Sequence, residues 1–154
     1  GYTRLYDAVY RVIEEKMSHL RASDARSIIV IISDGEDTAS ERSLKEAIEI
    51  AQRYDVTIFG ISTKNFSGVT AGTVESSDDK ELRRLSEDTG GQLFLPSQKL
   101  ELFRAFSQVA KDLRQEYVII YTPQNQQKAG KRRSIKLKLI GTEGRLYHKQ
   151  GYTY

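Results

Sequence analysis

The sequence contains no cysteine, no tryptophan, one methionine and two prolines among its 154 residues. Without cysteine the chain has no disulfides, no thiolate metal site and no cysteine nucleophile. Only two histidines are present, which gives little basis for a zinc site or a histidine-based catalytic site. Any chemistry at a site in this chain therefore has to come from oxygen ligands, hydroxyls and basic side chains.

Long apolar runs and a strong charge imbalance are also lacking. No apolar stretch approaches the roughly 18 residues that a membrane-spanning helix needs. Lys and Arg number 24 and Asp and Glu 21, so the net charge is only +3. That imbalance is too small to predict nucleic-acid binding. We expect neither a membrane span nor a nucleic-acid partner.

Apolar patterns of two kinds alternate over about two thirds of the chain. Spacings of three and four residues predict helices, and short β-branched runs predict buried strands. The predicted order is helix 5–20, strand 28–32, helix 44–51, strand 56–61, helix 82–85, strand 93–95 and helix 100–113. This succession predicts an α/β fold with three layers, in which helices flank a parallel sheet.

The last 40 residues change pattern. Three β-type stretches, at 117–121, 134–140 and 145–149, follow each other with no helix between them. Their spacing predicts an antiparallel β appendage packed on the α/β part. We therefore expect an α/β portion over residues 1–115 and a β extension over residues 116–154.

The most informative stretch is SIIVIISDGEDTAS, residues 27–40, in which a β-branched run ends in acids and hydroxyls. In open α/β sheets, ligands bind at the carboxyl ends of the strands, where Asp34 is predicted to lie. Asp34, Glu36 and Asp37 supply the hard oxygen atoms that Mg²⁺, Mn²⁺ and Ca²⁺ prefer. The alternative is purely structural: Asp34 and Gly35 turn the chain, while Thr38 or Ser40 caps the next helix.

The beginning of the chain bears on this choice. GYTRLYDAVY, followed by IIVIISDGEDT, resembles the second and third metal-site motifs of the von Willebrand factor A family. The resemblance implies a Rossmann-like fold and a metal ion-dependent adhesion site. It assigns Thr3 and Asp34 as metal ligands, with Asp7, Ser33 and Glu36 as supporting neighbours. The later YVIIYTP and SIKLKLIG stretches resemble a bacterial branch of the family with a β-rich tail.

The chain departs from the family pattern in one respect. The Asp-x-Ser-x-Ser motif of the first family strand is not found, so the resemblance implies the C-terminal portion of an A domain, incomplete at the N-terminus. Two consequences are expected. Mg²⁺, Mn²⁺ or Ca²⁺ should bind weakly or not at all. The 28–32 strand should have an unpaired edge, covered by a second copy of the chain or by the C-terminal strands.

Two functions follow as alternatives. The preferred one is a protein-interaction module of the adhesion type, in which a metal held by Thr3 and Asp34 bridges to an acidic residue of a partner in the complete domain. The other is a Mg²⁺-dependent phosphohydrolase using Asp34, Glu36 and Asp37. The sequence carries no Asp-x-Asp nucleophile, P-loop or Gly-x-Ser-x-Gly motif, so we expect no enzymatic activity. The family resemblance also leads us to expect an extracytoplasmic location.

Overall fold

The computed structural model describes residues 1–17, 27–67, 75–115, 117–123, 130–141 and 143–153. Helices and strands alternate through the first part of the chain, as the sequence predicts. The helices are α1 (Leu5–Val12), α2 (Leu44–Arg53), α3 (Ser77–Asp88) and α4 (Lys99–Asp112). The strands are β1 (Ser27–Ser33), β2 (Val56–Ser62), β3 (Leu93–Phe94), β4 (Arg132–Ser134) and β5 (Gly151–Thr153).

Helix α1 presents one apolar stripe to the core. Leu5, Val9 and Ile13 are buried at spacings of four residues, which places them on one face of a helix. Beyond α1 the backbone continues as a π-helical turn, Ile13–Met17. The predicted helix extends to residue 20, and its last three positions lie outside the described residues.

Strands β1, β2 and β3 form a parallel sheet in that order, with Ile31 of β1 opposite Gly60 of β2. A Cβ on Gly60 would meet Leu82 and Ser86, so α3 packs on the face to which Gly60 belongs. Phe59 and Ile61 point to the opposite face, where they are buried apart from the main apolar cluster, and α4 contacts β2. Helices therefore lie on both faces, and the predicted three-layer α/β fold is confirmed.

Helix α2 begins at Leu44, as predicted, but the predicted N-cap residue is wrong. Ser43, rather than Thr38 or Ser40, is the N-cap: its hydroxyl accepts a hydrogen bond from the Glu46 amide at 3.3 Å. The Glu46 carboxylate accepts the Ser43 amide at 2.9 Å in return, which completes a capping box. In the sequence, the Ser43-x-x-Glu46 spacing indicates this capping box. It is a more specific helix-start signal than Thr38 or Ser40 alone.

Strand β1 is less covered than its apolar sequence predicts. Ile31 is buried, but Val30 is 39% exposed and Ile32 55% exposed, and these two share the other face of the sheet. Within the described residues β1 pairs with β2 and with no other strand. The expectation of burial on both faces is therefore wrong. A continuous apolar run shows only that both faces of a strand are suited to burial. Whether they are buried depends on which helices and strands pack against them.

The C-terminal appendage is antiparallel, as predicted, but its strands lie elsewhere. Arg132–Ser134 pairs with Gly151–Thr153, and the ladder extends by one hydrogen bond from the Ile135 amide to the Gln150 carbonyl at 3.0 Å. The predicted strands 117–121, 134–140 and 145–149 are not strands apart from Ser134, although Lys149 forms one isolated bridge with Thr89. β-branched composition favours a strand, but a strand exists only where a partner completes the ladder.

The β4–β5 pair docks on the helices rather than on the open edge of β1. The Gln150 amide donates to the Asp88 carbonyl at 3.1 Å, and the Gln52 side chain donates to the same carbonyl at 2.6 Å. These contacts join β5 to the end of α3 and to α2. The expectation that the C-terminal strands cover the β1 edge is therefore wrong for the described part of the chain.

Among the described residues, no helix has both the length and the apolar character that crossing a membrane requires.

Candidate functional site

The carboxyl ends of β1 and β2 meet at one edge of the sheet. The parallel register sets Ser33, the last residue of β1, opposite Ser62, the last residue of β2. The Thr63 amide then donates to the Ser33 carbonyl at 2.9 Å, which keeps the two chain segments together as they leave the sheet. The acidic loop after β1 therefore starts from a fixed position, as the sequence predicts for Asp34.

The loop that carries Thr3 is joined to the loop after β1. The Thr3 amide donates to the Thr38 hydroxyl oxygen at 2.9 Å. The Thr3 carbonyl accepts the amides of Thr38 and Ala39 at 3.0 and 3.1 Å. These three hydrogen bonds span about 35 positions in sequence, so tertiary structure brings the Thr3 loop beside the loop that contains Asp34.

Asp34 is exposed, and its nearest hydrogen bonds are local. Its Oδ1 accepts the Ser33 hydroxyl at 3.4 Å and the Glu36 amide at 3.3 Å. The Ser33 hydroxyl oxygen also accepts the Gly35 amide at 3.1 Å. Ser33 thus supports the turn that presents the Asp34 carboxylate, while the Glu36 side chain is itself exposed to solvent.

Gly35 is required by this turn for two reasons. Its φ of +83° lies in the left-handed region that side chains disfavour. A Cβ at this position would also lie 2.8 Å from the carbonyl oxygen of Asp78, at the start of α3. The loop after β1 is therefore in close contact with the N-terminal end of α3.

Asp37 has a structural role in this loop. Its Oδ2 accepts the Tyr6 amide at 3.0 Å and the Ser40 hydroxyl at 2.5 Å, and its Oδ1 accepts the Ser40 amide at 3.0 Å. Burial raises the pKa of Asp37, but the hydrogen bonds from Ser40 and Tyr6 outweigh it and hold the pKa below its ordinary value. Asp37 therefore caps the start of α1 from the neighbouring loop.

Asp7, in α1, accepts hydrogen bonds from the end of the same loop. Its carboxylate accepts the amides of Glu41 at 3.1 Å and Arg42 at 2.9 Å, just before α2 begins. These two amides, with that of Arg42 contributing most, hold the pKa of Asp7 below its ordinary value. Arg4 adds an ion pair at 3.5 Å. Asp7 thus stabilises the chain segment just before α2.

The donor set for a metal is incomplete within the described residues. In that part of the chain no group of three His, Cys, Asp or Glu side chains is arranged to hold a metal ion. Hard divalent cations take six or more oxygen ligands. Thr3 and Asp34 would provide two of them, and the hydrogen-bonded carboxylates of Asp7 and Asp37 are engaged by backbone amides. These residues by themselves do not fit a tightly bound cation.

Sequence reasoning missed a second polar group at the same edge of the sheet. Lys64, just after β2, donates to the Asp78 carboxylate and to the Ser76 hydroxyl oxygen, the latter at 3.2 Å. Asp79 is only 3% exposed, and its Oδ2 accepts the Ser76 hydroxyl at 2.8 Å. The Ser76-x-x-Asp79 spacing in the sequence indicates the capping box of α3, but it does not indicate the contact with Lys64.

The charges of this second group stabilise each other. The hydrogen bond to Asp78 raises the pKa of Lys64, which also lies near Asp79 and Asp34. Burial raises the pKa of Asp79, but hydrogen bonds from Ser62 and Ser76, together with Lys64, outweigh it, so the pKa is lowered. A lysine ammonium therefore already neutralises part of the acidic edge.

Tyr6 joins α1 to α3 beside these acids. Its hydroxyl donates to the Glu81 carboxylate. Burial, that hydrogen bond and the negative charges of Glu81 and Asp37 all raise the pKa of Tyr6 well above its ordinary value. The phenol stays protonated and serves as a hydrogen-bond donor that fixes the two helices.

Comparison with known proteins agrees with this architecture. The sequence profile of the von Willebrand factor type A domain matches residues 2–108, well over half of the chain. Neither a curated protein nor a solved structure matches the chain. The match covers the parallel sheet, helices α1 to α3, most of α4 and the joined loops at the carboxyl end of β1. The chain therefore belongs to the von Willebrand factor type A domain family.

Proposed function

We propose that this chain is a protein-binding module whose partner-facing surface is the edge of the sheet formed by the Thr3 loop and the loop after β1. Domains of this family are usually non-enzymatic interaction modules. The observation that carries the proposal is the set of three hydrogen bonds that Thr3 shares with Thr38 and Ala39, which hold two separate loops side by side. The exposed Asp34 carboxylate lies on this surface.

The proposal extends to the chemistry of the contact. Thr3 and Asp34 would supply two oxygen ligands to Mg²⁺, Mn²⁺ or Ca²⁺, with Ser33, Asp7 and Glu36 supporting the loops. A divalent cation held there would supply positive charge for an acidic side chain of a partner protein. Because two ligands leave most of the coordination shell to other groups, we expect this chain alone to bind cations weakly.

Titration calorimetry with Mg²⁺ and Mn²⁺ tests this part. We expect no saturable binding in the micromolar range, and only weak binding that Asp34→Asn reduces further. Asp88→Asn is a matched control, because Asp88 lies at the other end of α3. Micromolar affinity that Asp34→Asn abolishes would show that the site in this chain is complete. Cation binding unaffected by Asp34→Asn would refute the assignment of Asp34.

The phosphohydrolase alternative finds less support in the geometry. Of its three acids, Asp37 is committed to Ser40 and to the start of α1. Asp34 and Glu36 remain exposed, and two carboxylates supply too few of the oxygen ligands that a catalytic Mg²⁺ site requires. A phosphatase screen with Mg²⁺ in which Asp34→Asn abolishes turnover would reverse this preference.

We propose in addition that the chain self-associates through the outer edge of β1. The seven residues of β1 are uncharged, and Val30 and Ile32 expose apolar surface beside the edge. An unprotected edge of this type is a template for pairing with another strand. Light scattering over a range of concentrations tests this proposal. We expect a dimer, and a strictly monomeric chain would contradict it.

A further inference from the structure

A lysine side chain lies among the acidic groups at the carboxyl edge of the sheet. Lys64 follows β2, and its ammonium donates to the Asp78 carboxylate and, at 3.2 Å, to the Ser76 hydroxyl oxygen. The Lys64 and Asp78 side chains are only 30% and 31% exposed, so solvent screens this ion pair less than a pair on the open surface. The ammonium is therefore held at a defined position.

The backbone at Lys64 is joined to the backbone at Asp34. The parallel register sets Ser33 opposite Ser62, so the two chain segments leave the sheet side by side. The Thr63 amide, one position before Lys64, donates at 2.9 Å to the Ser33 carbonyl, one position before Asp34. The lysine and the candidate metal ligand thus start from neighbouring points.

The loop after β1 also contacts the residue that holds the ammonium. A Cβ on Gly35, directly after Asp34, would lie 2.8 Å from the carbonyl oxygen of Asp78. Asp78 is the residue whose carboxylate accepts the Lys64 ammonium. The pKa of Lys64 is raised above its ordinary value, first by the hydrogen bond to Asp78 and then by the charges of the acids around it, Asp34 among them. Lys64 therefore places a positive charge beside the Asp34 loop.

We propose that Lys64 sets the cation affinity of this edge, because its positive charge opposes the binding of a divalent cation at Asp34. The inference rests on the proposed function, in which Asp34 is a cation ligand, and adds the residue that keeps this binding weak. A divalent cation that approaches Asp34 is attracted by the carboxylates nearby and repelled by the ammonium among them. Its hydrogen bonds to Asp78 and Ser76 keep the ammonium from moving away.

The sign of this effect does not depend on how many oxygen ligands a cation finds at the edge. Additional ligands would raise the affinity of the wild-type chain and of a Lys64 variant alike, whereas the repulsion acts only while the lysine side chain carries its charge. Lys64, Ser76 and Asp78 all belong to the described part of the chain. Lys64 therefore controls the local charge of the edge, and not its number of ligands.

Lys64→Gln tests the proposal, because glutamine is neutral but still carries hydrogen-bond donors for Asp78. Binding of Mn²⁺ is followed through paramagnetic broadening of the amide signals of the Asp34 loop, which detects weak binding. We expect Lys64→Gln to bind Mn²⁺ about three- to tenfold more tightly than the wild-type chain, the effect of one unit charge on a divalent cation at a partly solvated edge. Lys64→Arg retains the charge and should bind as the wild-type chain does.

Lys111→Gln is the matched control, because it removes the same charge at the other end of the sheet. Lys111 is exposed in the last turn of α4. The next residue, Asp112, accepts a hydrogen bond from the side chain of Gln92, just before β3, which places this turn at the amino ends of the strands. We expect Lys111→Gln to bind Mn²⁺ as the wild-type chain does. Equal gains in Lys64→Gln and Lys111→Gln would show an effect of net charge alone and would overturn the proposal.

A double variant, Lys64→Gln with Asp34→Asn, separates this inference from the proposed function. We expect it to lose the affinity that Lys64→Gln gains. If Lys64→Gln binds no more tightly than the wild-type chain while Asp34→Asn weakens binding, Asp34 stands as a ligand and the role of Lys64 is overturned. A gain that persists in the double variant would mean that the cation binds at other acids, and would overturn both the inference and the assignment of Asp34.

Ionic strength gives an independent readout. Salt screens the repulsion between the ammonium and the cation, so the gain in Lys64→Gln should shrink as KCl is added. A gain that is unchanged at high salt would mean that the substitution acts through the loop conformation, and would overturn the proposal. If Lys64→Gln fails to fold by circular dichroism, Lys64→Met, which keeps the apolar stem of the side chain, takes its place. The same gain is expected there, and its absence would overturn the proposal.

Discussion

Asp37 connects two loops that are far apart in sequence, so we expect its loss to destabilise the fold. In Asp37→Ala the amides of Tyr6 and Ser40 lose their acceptor. Leaving such groups without a partner costs roughly 1–3 kcal/mol of unfolding free energy. Urea denaturation at neutral pH measures this change. Asp34→Ala is the control, since removing an exposed carboxylate should change stability by less than about 0.5 kcal/mol.

The same residue gives a pH dependence with a defined sign. The pKa of Asp37 is lower in the folded protein than its ordinary value. Its contribution is therefore fully present above the unfolded pKa of about 3.9 and is lost as the pH falls through the folded pKa. The stability difference between the wild-type chain and Asp37→Ala should shrink as the solution is acidified below about pH 4. A difference that grows on acidification would contradict this assignment.

Gly91 is required because of a close backbone contact. A Cβ at this position would lie 2.0 Å from the carbonyl oxygen of Ile58, in β2. Since backbone atoms there cannot move without disturbing the sheet, Gly91→Ala should cost roughly 1–3 kcal/mol or more. At Gly144 the nearest atom is a side-chain carbon of Leu139 at 3.4 Å, an ordinary contact. Thermal denaturation should therefore separate Gly91→Ala, with a lower Tm, from an unchanged Gly144→Ala.

At the scale of elements, α2 depends on its capping box. Ser43→Ala removes the acceptor for the Glu46 amide, and we expect a loss of about 1 kcal/mol. Urea denaturation followed by far-ultraviolet circular dichroism measures it. Ser107→Ala is the matched control, because Ser107 is exposed in the interior of α4, where alanine is the better helix former. Equal losses in the two variants would show that the cap contributes nothing specific.

The carboxylate of the same box sets a second pH dependence. The Ser43 amide, then Arg42 and the Ser43 hydroxyl, lower the pKa of Glu46 to about 2. A carboxylate with a depressed pKa stabilises the fold above its unfolded pKa of about 4.3 and stops doing so as the pH falls to about 2. Glu46→Gln should flatten the stability profile in this window. An unchanged acid profile in Glu46→Gln would mean that other carboxylates dominate it.

At the scale of the whole molecule, hydrogen exchange should follow the sheet order. β2 lies between β1 and β3 and is buried almost throughout, so its amides should exchange most slowly. The segment Tyr117–Tyr121, which forms no helix or strand, should exchange much faster than β2. If two copies of the chain pair through the outer edge of β1, raising the protein concentration should slow amide exchange in β1. Exchange that is equally fast at both concentrations in a dimeric protein would contradict the proposed arrangement.

Much of the α/β part could be predicted from the sequence because its signals are local. The β-branched run before Asp34 and the apolar stripe of α1 each require only the periodicity of one element. The joined loops at the candidate site were reached through a family resemblance. The Lys64, Asp78 and Asp79 group was not found, since its contacts join the end of β2 to the start of α3. No spacing within either element reveals that proximity.

The sequence by itself determined the order of helices and strands in the α/β part, the parallel α/β class and the placement of Asp34 at a strand end, because hydrophobic periodicity and turn residues act over a few positions. Within the described residues, tertiary structure alone decided that Val30 and Ile32 are exposed, that Asp37 caps α1, and that Tyr117–Tyr121 forms no strand. The physical reason is that burial and strand pairing depend on which elements become neighbours. Apolar and β-branched composition favours strand formation, but a strand forms only where the fold brings a second strand beside it.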